Sequence, residues 1–121
     1  MEGELIYSYT RQDAIDDGIF VDVTEVANRN GFKIPVAITT NLFHSCINKE
    51  ELDEEANIIR LNTFLLTVWS AISKHQDKDN DHLLCLTINH DDNLLKVWVA
   101  IEAKSLTDPS PGINILLPED Y

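Results

Sequence analysis

Tyr9 to Asn41 reads YTRQDAIDDGIFVDVTEVANRNGFKIPVAITTN, and nearly every position in it carries a structural signal. Thr10 sits where a helix cap belongs, with Asp13 at the third helical position. Gly18 supplies the left-handed stop for a helix over residues 11–17. Ile19 to Val23 is then a short apolar strand. Asp22 or Thr24 caps a second helix ending at Gly31, and Phe32 to Thr39 returns as a strand. Pro35 lies near the start of that strand, where a missing backbone donor costs least. Two short helices thus alternate with two short strands.

Further along, Asn41 to Ile47 has room for one or two helical turns. The longest element follows, a helix from Glu50 to about Lys74. Its apolar residues Leu52, Ala56, Ile59, Leu61, Leu65, Val68 and Ile72 recur at helical spacing. Glu50, Glu51, Asp53, Glu54 and Glu55 load its beginning and Lys74 its end, the sign order that suits the helix dipole. Leu83–Asn89 and Leu94–Lys104 alternate with period two around His90-Asp91-Asp92-Asn93, a hairpin loop. Pairing Asn89 with Leu94 puts Leu84, Leu86 and Ile88 on one face with Leu95, Val97, Val99 and Ile101. Cys85 then opposes Trp98, and Thr87 opposes Lys96. After the 108–112 turn, Ile113 to Leu117 forms the last strand. The expected fold is α+β in a single domain of residues 1–121. It combines short N-terminal helices and strands with one long central helix on a mainly antiparallel C-terminal sheet.

Composition narrows the functions. Of 121 residues, 44% are hydrophobic and 25% charged, ordinary values for a globular chain. The charge balance is unusual: 21 acidic against 9 basic side chains give a net charge of −12. Such a surface repels phosphate backbones, which disfavours direct nucleic-acid binding and suits a basic protein partner, although solvation alone also explains it. The acidic Met1-Glu2-Gly3-Glu4 start and the absence of a long apolar run make a cytoplasmic, non-membrane protein the expectation. Cys46 and Cys85 are expected as unpaired core thiols.

Catalytic and metal signatures are weak. Asp77, Asp79 and Asp81 imitate the start of a calcium loop, but His82 stands where glycine is required and Ile88 where glutamate is. No zinc-ligand spacing joins His44, Cys46, His75, His82 and His90. The thiol–imidazole pairs Cys46/His44 and Cys85/His90 are conceivable only by proximity in sequence. No nucleophile elbow, phosphate loop or dinucleotide fingerprint occurs. The chain is therefore expected to be non-enzymatic, with no cofactor and no metal.

Three sets of residues remain as binding candidates. Tyr9 and Arg11 form a polar-aromatic pair leading into the first helix. They either make a contact surface or simply pack, with Arg11 paired to Asp13 or Glu4. Asp16, Asp17, Glu50, Glu51, Glu54 and Glu55 make one acidic surface if the ends of the helices converge. Trp98, with Cys85, Thr87 and Ala100, lies on a sheet face suited to a homodimer. A small ligand site or enzyme centred on Tyr9, Arg11 and Asp22 is the alternative.

The run Tyr9-Thr10-Arg11, Ala14-Ile15, Asp17-Gly18, Val21-Asp22-Val23, Glu25, Ala27, Gly31-Phe32 and Pro35-Val36-Ala37-Ile38-Thr39 resembles a small-protein family. Its members are uncharacterised proteins found mainly on bacterial plasmids, integrative elements and phages. The closing Gly112-Ile113-Asn114-Ile115-Leu116-Leu117-Pro118-Glu119-Asp120 resembles the family's ending, an apolar strand followed by L-P-x-x-D. Where members often carry a G-P-G-D turn, this chain has Pro109-Ser110-Pro111-Gly112. The resemblance covers the first third and the last few residues, and leaves out the middle from Asn48 to Ser105. It implies the company of mobile elements, host defence and conjugation, and it transfers no activity and no catalytic residue.

Overall fold

A computed structural model describes residues 11–74, 83–103 and 110–120. Helix α1 (Arg11–Asp16) leads to strand β1 (Phe20–Asp22), helix α2 (Thr24–Arg29) and strand β2 (Val36–Thr39). A short α-helical turn, α3 (Thr40–Leu42), runs directly into a π-helical segment, Phe43–Ile47. Helix α4 (Glu54–Lys74), strands β3 (Leu83–His90), β4 (Asn93–Ala103) and β5 (Pro111–Leu116), and a 3-10 turn at Pro118–Asp120 follow among the described residues.

Each early element ends where local chemistry ends it. At the close of α1, Ile19 N–H bonds to the Ala14 carbonyl (2.9 Å) and Gly18 N–H to that of Ile15 (3.1 Å). This is a Schellman cap, with Gly18 in the left-handed region at φ +81. Before α2, Asp22 Oδ1 accepts from both the backbone N–H (3.0 Å) and the hydroxyl (2.5 Å) of Thr24. Asp22 therefore starts this helix from two residues upstream. Helix α4 begins later than its acidic run: Asp53 Oδ1 accepts from Ala56 N–H (2.8 Å), and Asp53 is the cap. Glu50 and Glu51 lie outside the helix, while Glu54 and Glu55 occupy its first turn.

The strands form one five-stranded sheet in the order β1-β2-β5-β4-β3. The expected register of the C-terminal hairpin is present, with Asn89 opposite Leu94, Cys85 opposite Trp98 and Thr87 opposite Lys96. Its loop is shorter than four residues. His90 and Asn93 pair, leaving Asp91 and Asp92 as a two-residue turn with positive φ at both, the backbone twist that suits a tight hairpin. Strand β5 is central, antiparallel to β4 and parallel to β2. It welds the N-terminal strands to the hairpin. Every residue from 112 to 117 is buried, as expected of a strand covered on both faces.

Alternation along the strands defines two faces. Val36, Ile38, Leu86, Ile88, Val97, Val99, Ile113 and Ile115 point to one side and pack with Leu61, Phe64, Leu65 and Val68 of α4. Ala27 and Leu42 join this core from α2 and α3. The other face presents Ala37, Ala100, Gly112, Asn114 and Leu116. There α1 lies against the sheet, with Arg11 and Ala14 buried. The cysteines depart from expectation: Cys46 is half-buried and Cys85 exposed, both as free thiols.

Candidate functional site

Strand directions decide where the acidic side chains collect. Strands β2, β3 and β5 end, and β1 and β4 begin, at the same end of the sheet. Helix α4 also starts there, because Arg60 reaches Cys46, Ile47 and Asp91 at that end. Nine residues further along α4, Trp69 packs against Gly31 at the other. Strand ends and helix ends from four separate segments thus meet at one end. They bring Asp16 and Asp17 from α1, Glu50, Glu51, Asp53, Glu54 and Glu55 from the approach to α4, Asp91 and Asp92 from the hairpin, and Glu119 and Asp120 from the C-terminal turn. All are exposed except Asp120, which is half-buried.

Of the expected binding residues, Asp16, Asp17, Glu50, Glu51, Glu54 and Glu55 are gathered at this end, on both sides of the sheet. Asp53, Asp91, Asp92, Glu119 and Asp120 join them and were missed. Their signal was positional, since each caps or turns an element that ends or starts there. Trp98 stands apart, half-buried on the outer face of β4. Arg11 is also elsewhere, 5% exposed, with its Nε donating to Asn114 Oδ1 at 2.7 Å. Asp22 is exposed and engaged with Thr24. Tyr9 lies outside the described residues, as do Tyr7, Thr10, His75, Asp77, Asp79, Asp81 and His82.

Two cations at the acidic end, Lys49 and Arg60, are locally committed. Lys49 Nζ donates to the Ser45 carbonyl (3.1 Å). Arg60 donates to the carbonyls of Ile47 (2.6 Å) and Cys46 (2.7 Å) and grips Asp91 at 2.9 and 2.7 Å. The hydrogen bonds from Arg60 hold the Asp91 carboxyl below the usual carboxylate range. The same bonding raises Arg60. His90 Nε2 lies 2.6 Å from the Cys46 carbonyl, an acceptor, so that nitrogen carries the proton. The His90 ring also meets Phe64 edge-on, with centroids 5.5 Å apart.

The Cys85–His90 pair does not assemble. Cys85 and His90 belong to opposite faces of β3. Burial pushes the Cys46 thiol up, away from the thiolate that a nucleophile needs. Among the described residues, no three His, Cys, Asp or Glu side chains cluster as metal ligands. Nor is any described helix long and apolar enough to cross a membrane.

The two stretches that carry the resemblance are in direct contact. Thr39, which ends the P-V-A-I-T run, donates through Oγ1 to Asp120 Oδ2 at 2.7 Å. Asn41 Nδ2 donates to the other oxygen at 2.9 Å. Arg11 of the Y-T-R run meets Asn114 and Gly112 of the closing strand. A family model described as a family of unknown function, DUF6573, matches residues 1–121. The chain belongs to the DUF6573 family. The match includes the middle segment that the resemblance leaves out, with the long helix and the hairpin. No curated protein and no solved structure gives a significant match.

Proposed function

We propose that the chain is a non-enzymatic acidic interaction protein of a mobile genetic element, whose acidic end docks a basic protein of the host-defence or DNA-handling kind. The observation that carries this reading is the convergence of carboxylates from four segments on one end of the sheet. In a chain of net charge −12 the local field there is strongly negative. A field of one sign steers a basic partner toward that end and repels nucleic acid. The mobile-element setting rests on the resemblance of the first third and the ending.

Capture of partners from a bacterial lysate on the immobilised chain tests the reading. Exposed charge pairs are screened by salt, so captured proteins should be basic and should elute as salt rises. A variant combining Asp17→Lys, Glu51→Lys and Glu54→Lys, three exposed positions outside the core, should lose them. Capture that is indifferent to salt, or equal on the variant, would count against the acidic end as the docking surface.

A further inference from the structure

The start of α4 combines its carboxylates with apolar side chains in the open. Leu52, Ile58 and Ile59 are 39%, 45% and 60% exposed. Ile58 borders a groove of about 370 Å³ whose other lining residues are Phe43, Asn48, Glu54, Asn57 and Leu61. Leu61 is buried and makes the floor; Phe43, from the π-helical segment, is half-buried and faces Ile58. The walls are tied down. Asn57 Oδ1 accepts from Lys49 N–H (2.8 Å), and its Nδ2 donates to the Lys49 carbonyl (2.9 Å). One side chain thus fastens the loop before α4 to the helix. Arg60 holds the end of the π-helical segment through the carbonyls of Cys46 and Ile47. A groove fixed in this way costs little ordering when a partner enters it. Its volume, at the low end of the roughly 300–1,000 Å³ usual for small-molecule pockets, suits one or two side chains.

We propose that this groove takes an apolar side chain presented between lysines or arginines, so that the basic partner docks through a cationic amphipathic segment. The inference rests on the acidic docking reading above and names the chemistry of its contact. Charge complementarity selects the occupant. From Asn48 to Ile58 the chain carries five carboxylates, Glu50, Glu51, Asp53, Glu54 and Glu55, against one cation, Lys49. All five are exposed, while Lys49 Nζ is turned to the Ser45 carbonyl. Glu54 lines the groove, and Glu50, Glu51 and Asp53 lie on the loop joining its lining residues Asn48 and Glu54. A purely apolar occupant would desolvate Glu54 without compensation. A purely cationic one would leave Phe43, Ile58 and Leu61 against water. An apolar anchor flanked by cations satisfies both. A second copy, itself of net charge −12, is opposed by the same field.

Fluorescence anisotropy with two labelled synthetic peptides of equal charge tests it. One carries leucines and lysines at amphipathic helical spacing; in the other each leucine is replaced by serine. The full chain should bind the leucine peptide roughly tenfold tighter, the scale expected from burying one large apolar side chain. Ile58→Ser alters a half-exposed groove wall and should erase that preference while leaving the serine peptide bound as before. Leu94→Ser, 74% exposed and outside the groove, should keep the preference. Equal binding of the two peptides, both released by salt, overturns the groove and leaves the acidic end as a docking surface. Failure of both to bind overturns the groove and the acidic reading together. A preference lost equally in Leu94→Ser overturns the groove as the apolar contact. A doubled chain mass in light scattering that Ile58→Ser halves also overturns the proposal, because a second copy is then the occupant. Should Ile58→Ser fail to fold, nuclear Overhauser contacts on the wild type decide. They should join the leucine methyls of the peptide to Phe43, Ile58 and Leu61, and contacts confined to other residues overturn the proposal.

Discussion

Arg60 and Asp91, 31 residues apart, meet as a two-pronged pair at 2.9 and 2.7 Å. The same guanidinium binds the last carbonyls of the π-helical segment, those of Cys46 and Ile47. One side chain therefore ties α4, the segment after β2 and the hairpin turn at the end of the sheet where carboxylates gather. It also neutralises one of those carboxylates. Arg is suited to this because its planar fork satisfies two oxygens of one group and still reaches others.

A pH dependence follows from that pair. Asp91 titrates lower in the folded chain than its ordinary value of 3.8, because of the hydrogen bonds from Arg60. As pH falls through 3.8, the unfolded chain takes up this proton first, so unfolding becomes easier. The contribution of Asp91 is whole above 3.8, wanes below it, and is gone once pH is under the depressed folded value. Asp91→Asn keeps a residue that tolerates the positive φ of the turn. Urea midpoints from about pH 5 down to about pH 2 should fall less steeply for this variant than for the wild type. Parallel slopes would show that the pair does not couple to folding.

The two left-handed glycines should respond differently to alanine. Gly18 has φ +81 and open space where a Cβ would stand. Gly18→Ala should cost only backbone strain, about 1 kcal/mol. Gly31, at φ +107, would place its Cβ 1.3 Å from Trp69 Nε1. Trp69 also stacks at a tilt on Phe32, with centroids 6.5 Å apart, and cannot yield without repacking. Gly31→Ala should cost about 3 kcal/mol or more and shift the fluorescence of Trp69, as overpacking and strain combine. Chemical denaturation monitored by fluorescence distinguishes the two.

What the sequence made legible was local. The hairpin register followed from period-two alternation around turn residues, and the caps from Gly18, Asp22 and Gly31. The centrality of β5 was not read, although Gly112–Leu117 carries a signal for it. A short apolar run without alternation belongs to a strand covered on both faces. Which strands would flank it is a long-range matter that no spacing encodes. The acidic end was illegible for the same reason: Asp17, Glu51, Asp91 and Glu119 are scattered in sequence, and only the strand directions assemble them. A local partner for Arg11, Asp13 or Glu4, is the kind of pairing that sequence spacing suggests. Its bond to Asn114 spans 103 positions.

Asp120 should behave as the clasp of the C-terminus. Its carboxylate accepts from Thr39 Oγ1, from Asn41 Nδ2 and, at 3.2 Å, from Leu117 N–H. Thr39 Oγ1 in turn accepts from Leu42 N–H, capping α3. Asp120→Ala strips a buried hydroxyl and a backbone donor of their acceptor at once. The expected loss is about 2 kcal/mol in urea unfolding, the usual scale for a hydrogen-bonded charge. A double-mutant cycle with Thr39→Val should return coupling of roughly 1 kcal/mol. Additive losses would mean that Thr39 and Asp120 touch without stabilising each other.

Asn114 is the sharpest case, because it is wholly buried in the central strand between Ala37 and Ala100. Its Oδ1 takes the Nε proton of Arg11, and its Nδ2 has no hydrogen-bond partner among the described residues. Asn114→Leu would remove that unsatisfied donor and bury more apolar surface, both favourable. It would also deprive a 5%-exposed guanidinium of an acceptor. The second effect should win, since a hydrogen bond to a buried charge outweighs the cost of one neutral amide donor. A net loss of about 1 to 2 kcal/mol is expected. Adding Arg11→Met removes the charge as well and should recover much of it, as an apolar pair replaces a polar one at similar volume. If Asn114→Leu alone stabilises the chain, the Arg11–Asn114 contact is a tolerated cost of the fold, and the role of Arg11 lies with its other contacts.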